Sequence, residues 1–271
     1  MKNNRFYALR SLALLGIYYS LTSSQVFAAP PSTPSVQWDS WYTVTALPST
    51  PYAYYRETVE TTRGRIHFKT QMWKNEEGYI NEEQLGAFAL DNELLTPLFY
   101  NFHSTYRASE ITFDGTATES KLTVRIKKTS EDASEKPVVT RTLPSKTIFS
   151  SFFPVWLRKQ LQKNSTQGTF LAILEDSEAA GFEPTHGSFK VVQPDEFSKQ
   201  SDTSKIEVRF TSSTSHWYVD KNGRVARIDM PSQKTRIDRV NEATALAFFD
   251  KKKGQTQEKK STPRNGIQDQ R

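Results

Sequence analysis

Apolar and polar residues alternate with a period of two through much of the chain. Ile66, Phe68, Thr70 and Met72 interleave with His67, Lys69, Gln71 and Trp73, and Leu122, Val124 and Ile126 interleave with Lys121, Thr123, Arg125 and Lys127. Successive side chains on a strand point to opposite faces, so this pattern predicts antiparallel strands with one apolar face and one wet face. Short β-branched and aromatic runs of this kind fill the chain from Trp38 to about residue 144. Asp114-Gly115 reads as a turn before the run from Lys121, and the polar stretch Ser130 to Pro137 as a hairpin tip before a strand over Val138 to Leu143.

The period then changes to that of a helix. Phe153, Trp156, Leu157, Gln160 and Leu161 fall at helical spacing, with Pro154 in the first turn and Ser150 or Ser151 placed to cap the start. This predicts a helix over about 151–163. Strand patterns return at Thr169 to Leu174, Ser188 to Val192, Ile206 to Phe210 and Trp217 to Val219. Asn222-Gly223 is a strong hairpin signal, pairing Trp217–Val219 with Val225–Met230, and Thr235–Val240 follows as a closing strand. Asn241 can cap a short last helix through Ala245 and Phe248.

The two ends differ from this body. Lys2, Arg5 and Arg10 precede an uncharged run from Ser11 to Ala29 that is apolar around Leu12–Leu21, and Val26-Phe27-Ala28 suits a signal peptidase. An export signal over 1–28, cut after Ala28, is the expectation. The alternative of an uncleaved anchor suffers from Gly16, Ser20 and Thr22–Gln25, which interrupt the run short of the ~20 apolar residues a span needs. Residues 29–37, rich in Pro and Ser, read as a spacer, 38–249 as a single domain, and 250–271 as a disordered basic tail. The protein is expected in the periplasm or secreted beyond it.

Composition narrows the function classes. The net charge of +6 is concentrated in the leader and tail, which leaves residues 29–249 close to neutral and without a broad footprint for nucleic acid. Cysteine is absent, which excludes disulfides, thiol chemistry and an acylated lipoprotein anchor. The basic tail has no amphipathic apolar face, so it reads as solubilising in preference to membrane-binding.

No motif announces catalysis. His67, His103, His186 and His216 have no partner at metal-ligand spacing, and there is no nucleophile elbow or phosphate loop. A hydrolase with a composite site is the least favoured reading. The pairs Glu76-Glu77 and Glu82-Glu83 read as solvated edges flanking turns, because neighbours on a strand face opposite ways. Aromatic residues crowd the stretch 38–106, including Trp38, Trp41, Tyr52, Tyr54, Tyr55, Trp73, Phe88 and Phe99. They serve either as core and cross-strand packing or as a platform for a sugar ring or an apolar cavity.

Ser151-Phe-Phe-Pro-Val-Trp-Leu157 after a strand meander, with Trp217-Tyr-Val-Asp-Lys-Asn-Gly-Arg-Val225 leading into Ile228-Asp-Met-Pro231, resembles the layout of uncharacterised exported bacterial β-meander proteins. These include domains found beside transglutaminase-like modules. The build is similar to the lipoprotein carriers LolA and LolB, in which a strongly curved antiparallel sheet wraps a helix. The resemblance implies a mainly β (α+β) fold, a strongly curved sheet or open barrel around one helix, whose concave face binds a lipid or acyl chain. The missing cysteine argues against the acceptor role of LolB.

The expected function is non-catalytic binding. One candidate is an apolar or lipid-like envelope molecule held beside Phe153, Trp156, Leu157, Tyr54 and Trp73, which requires space next to the helix. The alternative is a carbohydrate or cell-wall interaction module using exposed aromatics on the wet face. Neither needs a metal or cofactor.

Overall fold

A computed structural model describes residues 34–76, 79–107, 109–129 and 137–248. The expected signal, most of the spacer, the polar tip at 130–136 and the basic tail lie outside the described residues. The predicted strands form one sheet of 15 strands that curves without closing. They are β1 (Ser35–Ala46), β2 (Thr50–Thr62), β3 (Arg65–Glu76), β4 (Tyr79–Leu90), β5 (Pro97–Tyr106), β6 (Ser109–Ala117), β7 (Lys121–Lys128) and β8 (Val138–Thr142) in the first half. The second half holds β9 (Thr147–Phe149), β10 (Gln167–Ile173), β11 (Thr185–Val191), β12 (Thr203–Phe210), β13 (Ser213–Asp220), β14 (Val225–Met230) and β15 (Thr235–Val240).

The chain starts at the middle of the sheet and meanders outward to β8. It then jumps to the opposite edge, β9, and meanders back until β15 pairs with β1. All pairs are antiparallel except β9 with β10, which are parallel and joined through helix α1 (Phe153–Gln162). A parallel pair needs such a crossover, because a tight turn cannot return the chain to the same direction.

Helix α1, extended at its start by a 3₁₀ turn over Ser150–Phe152, lies inside the curve. One buried cluster contains Val59, Phe68, Phe102, Phe113 and Val124 from one arm of the sheet, Phe170, Phe189, Val208 and Val219 from the other, and Phe153 and Leu157 from α1. A helix can touch both arms only from within the concavity. Each of these large side chains contributes ~1.5–3 kcal/mol by leaving water. At the other end of the long strands, a second cluster forms around Tyr42, Val44, Ala53, Tyr55, Val225 and Ile228.

The start of α1 is fixed by Glu175, just beyond β10. Ser150 and Ser151 do not cap the helix with their own side chains; their backbone N–H groups and hydroxyls all donate to the Glu175 carboxylate, at 2.5–3.2 Å. Glu175 is 1% exposed. Burial raises its pKa, while the Ser151 and Ser150 hydrogen bonds oppose the rise.

Several local expectations are corrected. Strand β1 begins at Ser35, inside the expected 29–37 spacer, and pairs there with Thr61. Asp114-Gly115 is not a turn but lies within β6, opposite Asn101 and Tyr100. A Cβ on Gly115 would sit 2.0 Å from the Tyr100 ring, so the glycine provides close approach and not a change of direction. Glu82 and Glu83 do point to opposite faces, but from the interior of β4, where Glu83 pairs with Lys74 and Glu82 accepts from Gln71 and Gln84. A six-residue helix, α2 (Glu196–Ser201), was not foreseen; it is too short to show a helical period. The Asn222-Gly223 hairpin is present, with Gly223 at φ 75°, and the last helix, α3, spans 242–248.

Two measurements check this frame. Glu175→Ala leaves four donors at the helix start without their acceptor and is expected to cost ~3–5 kcal/mol in denaturant unfolding, with Glu175→Gln, which keeps one acceptor oxygen, falling between. Glu57, buried in the concave face with Trp38 Nε1 donating to it at 2.7 Å, is pushed up to about 7 by burial, against the pull of that hydrogen bond. The folded chain therefore holds its proton where the unfolded chain has lost it, and the stability from Glu57 falls as pH rises from about 4.5 to 7. Glu57→Gln is expected to flatten the decline in stability between those pH values by on the order of 2–3 kcal/mol; an unchanged pH profile contradicts the assignment.

Candidate functional site on the outer face

Two short helices cover parts of the convex face. Helix α2 lies over β12–β14: its cap residue Asp195 accepts from Ser198 N, Tyr218 Oη and Lys205 Nζ at 2.8–2.9 Å. Phe197 meets Tyr218 edge-on at 4.9 Å, and the Arg227 guanidinium stands 3.7 Å over the Phe197 ring. Helix α3 lies over β1 and β2. Asn241 caps it through Thr244 N and Oγ1, Ala245 is buried, and Phe248 packs on Tyr54 at 4.3 Å. Between these covers, the outward side chains of β2–β5 remain partly accessible.

Strand register arranges those side chains in rows. One row runs Trp41, Arg56, Gln71, Gln84, His103 across β1–β5, each residue directly opposite the next. The adjoining row runs Thr58, Lys69, Gly86, Asn101 across β2–β5, and the one beyond it Glu60, His67, Phe88, Phe99. Gly86 presents no side chain, so its row becomes the floor of a cleft of about 400 Å³ lined by Arg56, Thr58, His67, Lys69, Gln84 and Asn101 among others. The aromatic row forms one wall. His67 stacks on Phe88 at 3.8 Å and Phe88 on Phe99 at 4.3 Å, and Phe99 is 42% exposed.

A second cleft, of about 740 Å³, adjoins the first at Arg56 and continues past Trp41 to Arg224, Arg239, Asn241 and Glu242. The Trp41 indole lies nearly parallel to that of Trp73, 12° apart in plane with centroids separated by 6.0 Å, and Arg56 stands 5.7 Å from Trp41. Arg56 is fixed by two hydrogen bonds to Asp39, which hold the Asp39 carboxyl below its ordinary range. The amides are fixed as well: Gln71 and Gln84 both donate to Glu82, at 2.6 and 2.9 Å, and Asn101 donates to Asp114 at 2.6 Å.

The groups assembled here are stacked rings, fixed amides and paired charges. Burial, then the neighbouring Lys69, pushes His67 down to about 4, so the ring is neutral near pH 7 and stacks as an uncharged aromatic. His103 Nδ1 shares a hydrogen bond with Thr112 Oγ1 at 3.2 Å. Among the described residues no three His, Asp or Glu side chains converge as a metal-ligand set, and no helix is long and apolar enough to cross a membrane.

The five residues expected to line one apolar site fall on two sides of the sheet. Phe153 and Leu157 are 5% and 1% exposed in the core, and Trp156 closes against Phe170 and Phe189 at 5.6 Å. Side chains from the second arm of the sheet pack directly against them, Phe170 at 4.5 Å and Trp217 at 5.0 Å from Phe153. Tyr54 faces outward but is 5% exposed beneath Phe248, and Trp73 faces outward against Trp41. Of the five, only Trp73 belongs to the outer-face site. Gln71, Gln84, Gly86 and Asn101 were missed, because their alignment across strands is visible only once the register is known.

Comparison with protein-family models, characterised proteins and solved structures yields no match. The reading of the site therefore rests on its own residues.

His67 provides a direct check. Its ring is expected to titrate with a midpoint near 4 by NMR, and its contribution to stability to grow as pH rises from about 4 to 6.5; a midpoint of 6.5 contradicts the buried, stacked ring.

Proposed function

We propose that the protein is an exported, non-catalytic carbohydrate-binding module that attaches to a cell-wall or extracellular polysaccharide through the outer face of β1–β5. The observation that carries the reading is the combination on one accessible face of near-parallel indoles, Trp41 and Trp73, with an in-register row of fixed hydrogen-bonding side chains, Arg56, Gln71 and Gln84. A sugar ring has an apolar face and a polar rim. An aromatic surface takes the first and pre-oriented amides and a guanidinium take the second, with little ordering cost because their partners already hold them.

The filled concavity supports the same choice. An apolar guest would have to displace Phe153 or Leu157 from a packed core, at the cost of ~2–5 kcal/mol that removing such a side chain's contacts entails. The outer face requires no displacement. Export, expected from the leader, brings the chain to the compartment where such polymers occur.

Sedimentation with insoluble glycans such as peptidoglycan sacculi, chitin and cellulose tests the proposal. The wild-type mature protein is expected to pellet with at least one of them, and Trp41→Ala to bind at least about tenfold more weakly while unfolding at the same denaturant concentration within error. Absence of binding to every glycan, or equal binding by the variant, overturns it.

A further inference from the structure

The two clefts share Arg56, and the outward row that joins them runs from Val240 on β15 through Trp41 to His103 on β5. Neighbouring strands are ~4.8 Å apart, so the five gaps between β15 and β5 span roughly 24 Å. The repeat matters as much as the length. An extended hexose chain advances by about 5 Å per ring, close to the strand spacing, so successive rings would meet successive strands. The row Trp41, Arg56, Gln71, Gln84, His103 offers one side chain per strand at that repeat.

The charges on the face define the polymer further. Each cation that lines the two clefts has a carboxylate within reach: Arg56 has Asp39, Lys69 has Glu60 at 2.8 Å, and Arg239 and Arg224 share Asp220, at 3.0 and 3.6 Å. Asn101 is committed to Asp114, which also pairs with Lys127 at 3.4 Å. The four cations face five carboxylates on or beside the clefts, Asp39, Glu60, Asp220, Glu82 and Glu242, so no net positive charge is left over to attract uronates, phosphates or nucleic acid. The groups remaining for a ligand are amide and hydroxyl dipoles, the paired guanidinium of Arg56, and aromatic surface.

We infer that the site takes a linear, uncharged glycan of about five rings, lying across the strands from β15 to β5. This rests on the carbohydrate-binding reading and adds length, direction and charge to it. Rings at the Trp41 end stack on the indoles, and rings further along lie over Gly86 between the amide row and the His67–Phe88–Phe99 wall.

Calorimetric titration of the mature protein with neutral linear oligosaccharides, cello- and chito-series from disaccharide to heptasaccharide, tests this, with oligogalacturonate as the charged comparison. Affinity is expected to rise about tenfold or more from disaccharide to pentasaccharide, to level off beyond it, and to stay constant between about 0.05 and 0.5 M salt. Gln84→Ala, at an exposed position, is expected to weaken the pentasaccharide several-fold and leave the disaccharide unchanged, whereas Trp41→Ala weakens both. A disaccharide that binds as tightly as the heptasaccharide overturns the extended site while leaving sugar binding intact. Preference for oligogalacturonate that is lost at high salt overturns the uncharged assignment. Failure of every sugar to bind overturns the carbohydrate-binding reading itself.

Discussion

The placement of α1 depends on one buried carboxylate. A curved sheet with an apolar concave face must fill that concavity or leave it wet, and here α1 and the 3₁₀ turn before it do the filling. Their entry into the core would strand backbone N–H groups at the helix start, where no intrahelical acceptor exists. Glu175 meets the N–H groups and hydroxyls of Ser150 and Ser151 together, at the positive end of the helix dipole. Without that acceptor the plug would bring unsatisfied donors into a region of low dielectric, where each is costly. With it, Phe152, Phe153 and Leu157 reach both arms of the sheet.

The proposed function draws on the opposite, convex face. Once the concavity is closed by packing, selection for binding can act on the convex face, and on that face register decides which side chains meet. Residues from distant parts of the chain line up because β2–β5 pair without interruption along the row that contains Arg56, Gln71 and Gln84. The sheet is long and stiff, so the row is pre-organised. The ion pairs and amide hydrogen bonds on the face hold the same residues in place and also neutralise it, which favours stacking and dipolar contacts over charge attraction.

Alternation along the chain was enough to read the strand-rich class, the Asn222-Gly223 hairpin, the helix around Phe153 to Leu161 and the capped last helix. Alternation places Tyr54 and Tyr55 on opposite faces of β2. It did not say which of those faces was the core, because in an aromatic-rich strand both sides carry large rings. It could not show that Phe248, far along the chain, would cover Tyr54 and remove it from the surface. Gly115 was misread for a related reason: Asp-Gly is a turn signal by local conformation, and the close approach of Tyr100 that actually requires the glycine is a contact between strands. Glu175 was invisible as well, since an isolated acid after a strand carries no motif. The site residues missed, Gln71, Gln84 and Gly86, have meaning only as neighbours in register.

The five tryptophans divide cleanly between the two sides of the sheet, with Trp38, Trp156 and Trp217 packed on the inner side and Trp41 and Trp73 on the outer. Titrating the ¹⁵N-labelled protein with a neutral linear pentasaccharide and following the indole N–H resonances tests the central claim most directly. Shifts confined to Trp41 and Trp73 are the predicted result. Shifts at Trp156 and Trp217, with the outer pair unmoved, would place the ligand in the concavity and contradict the account.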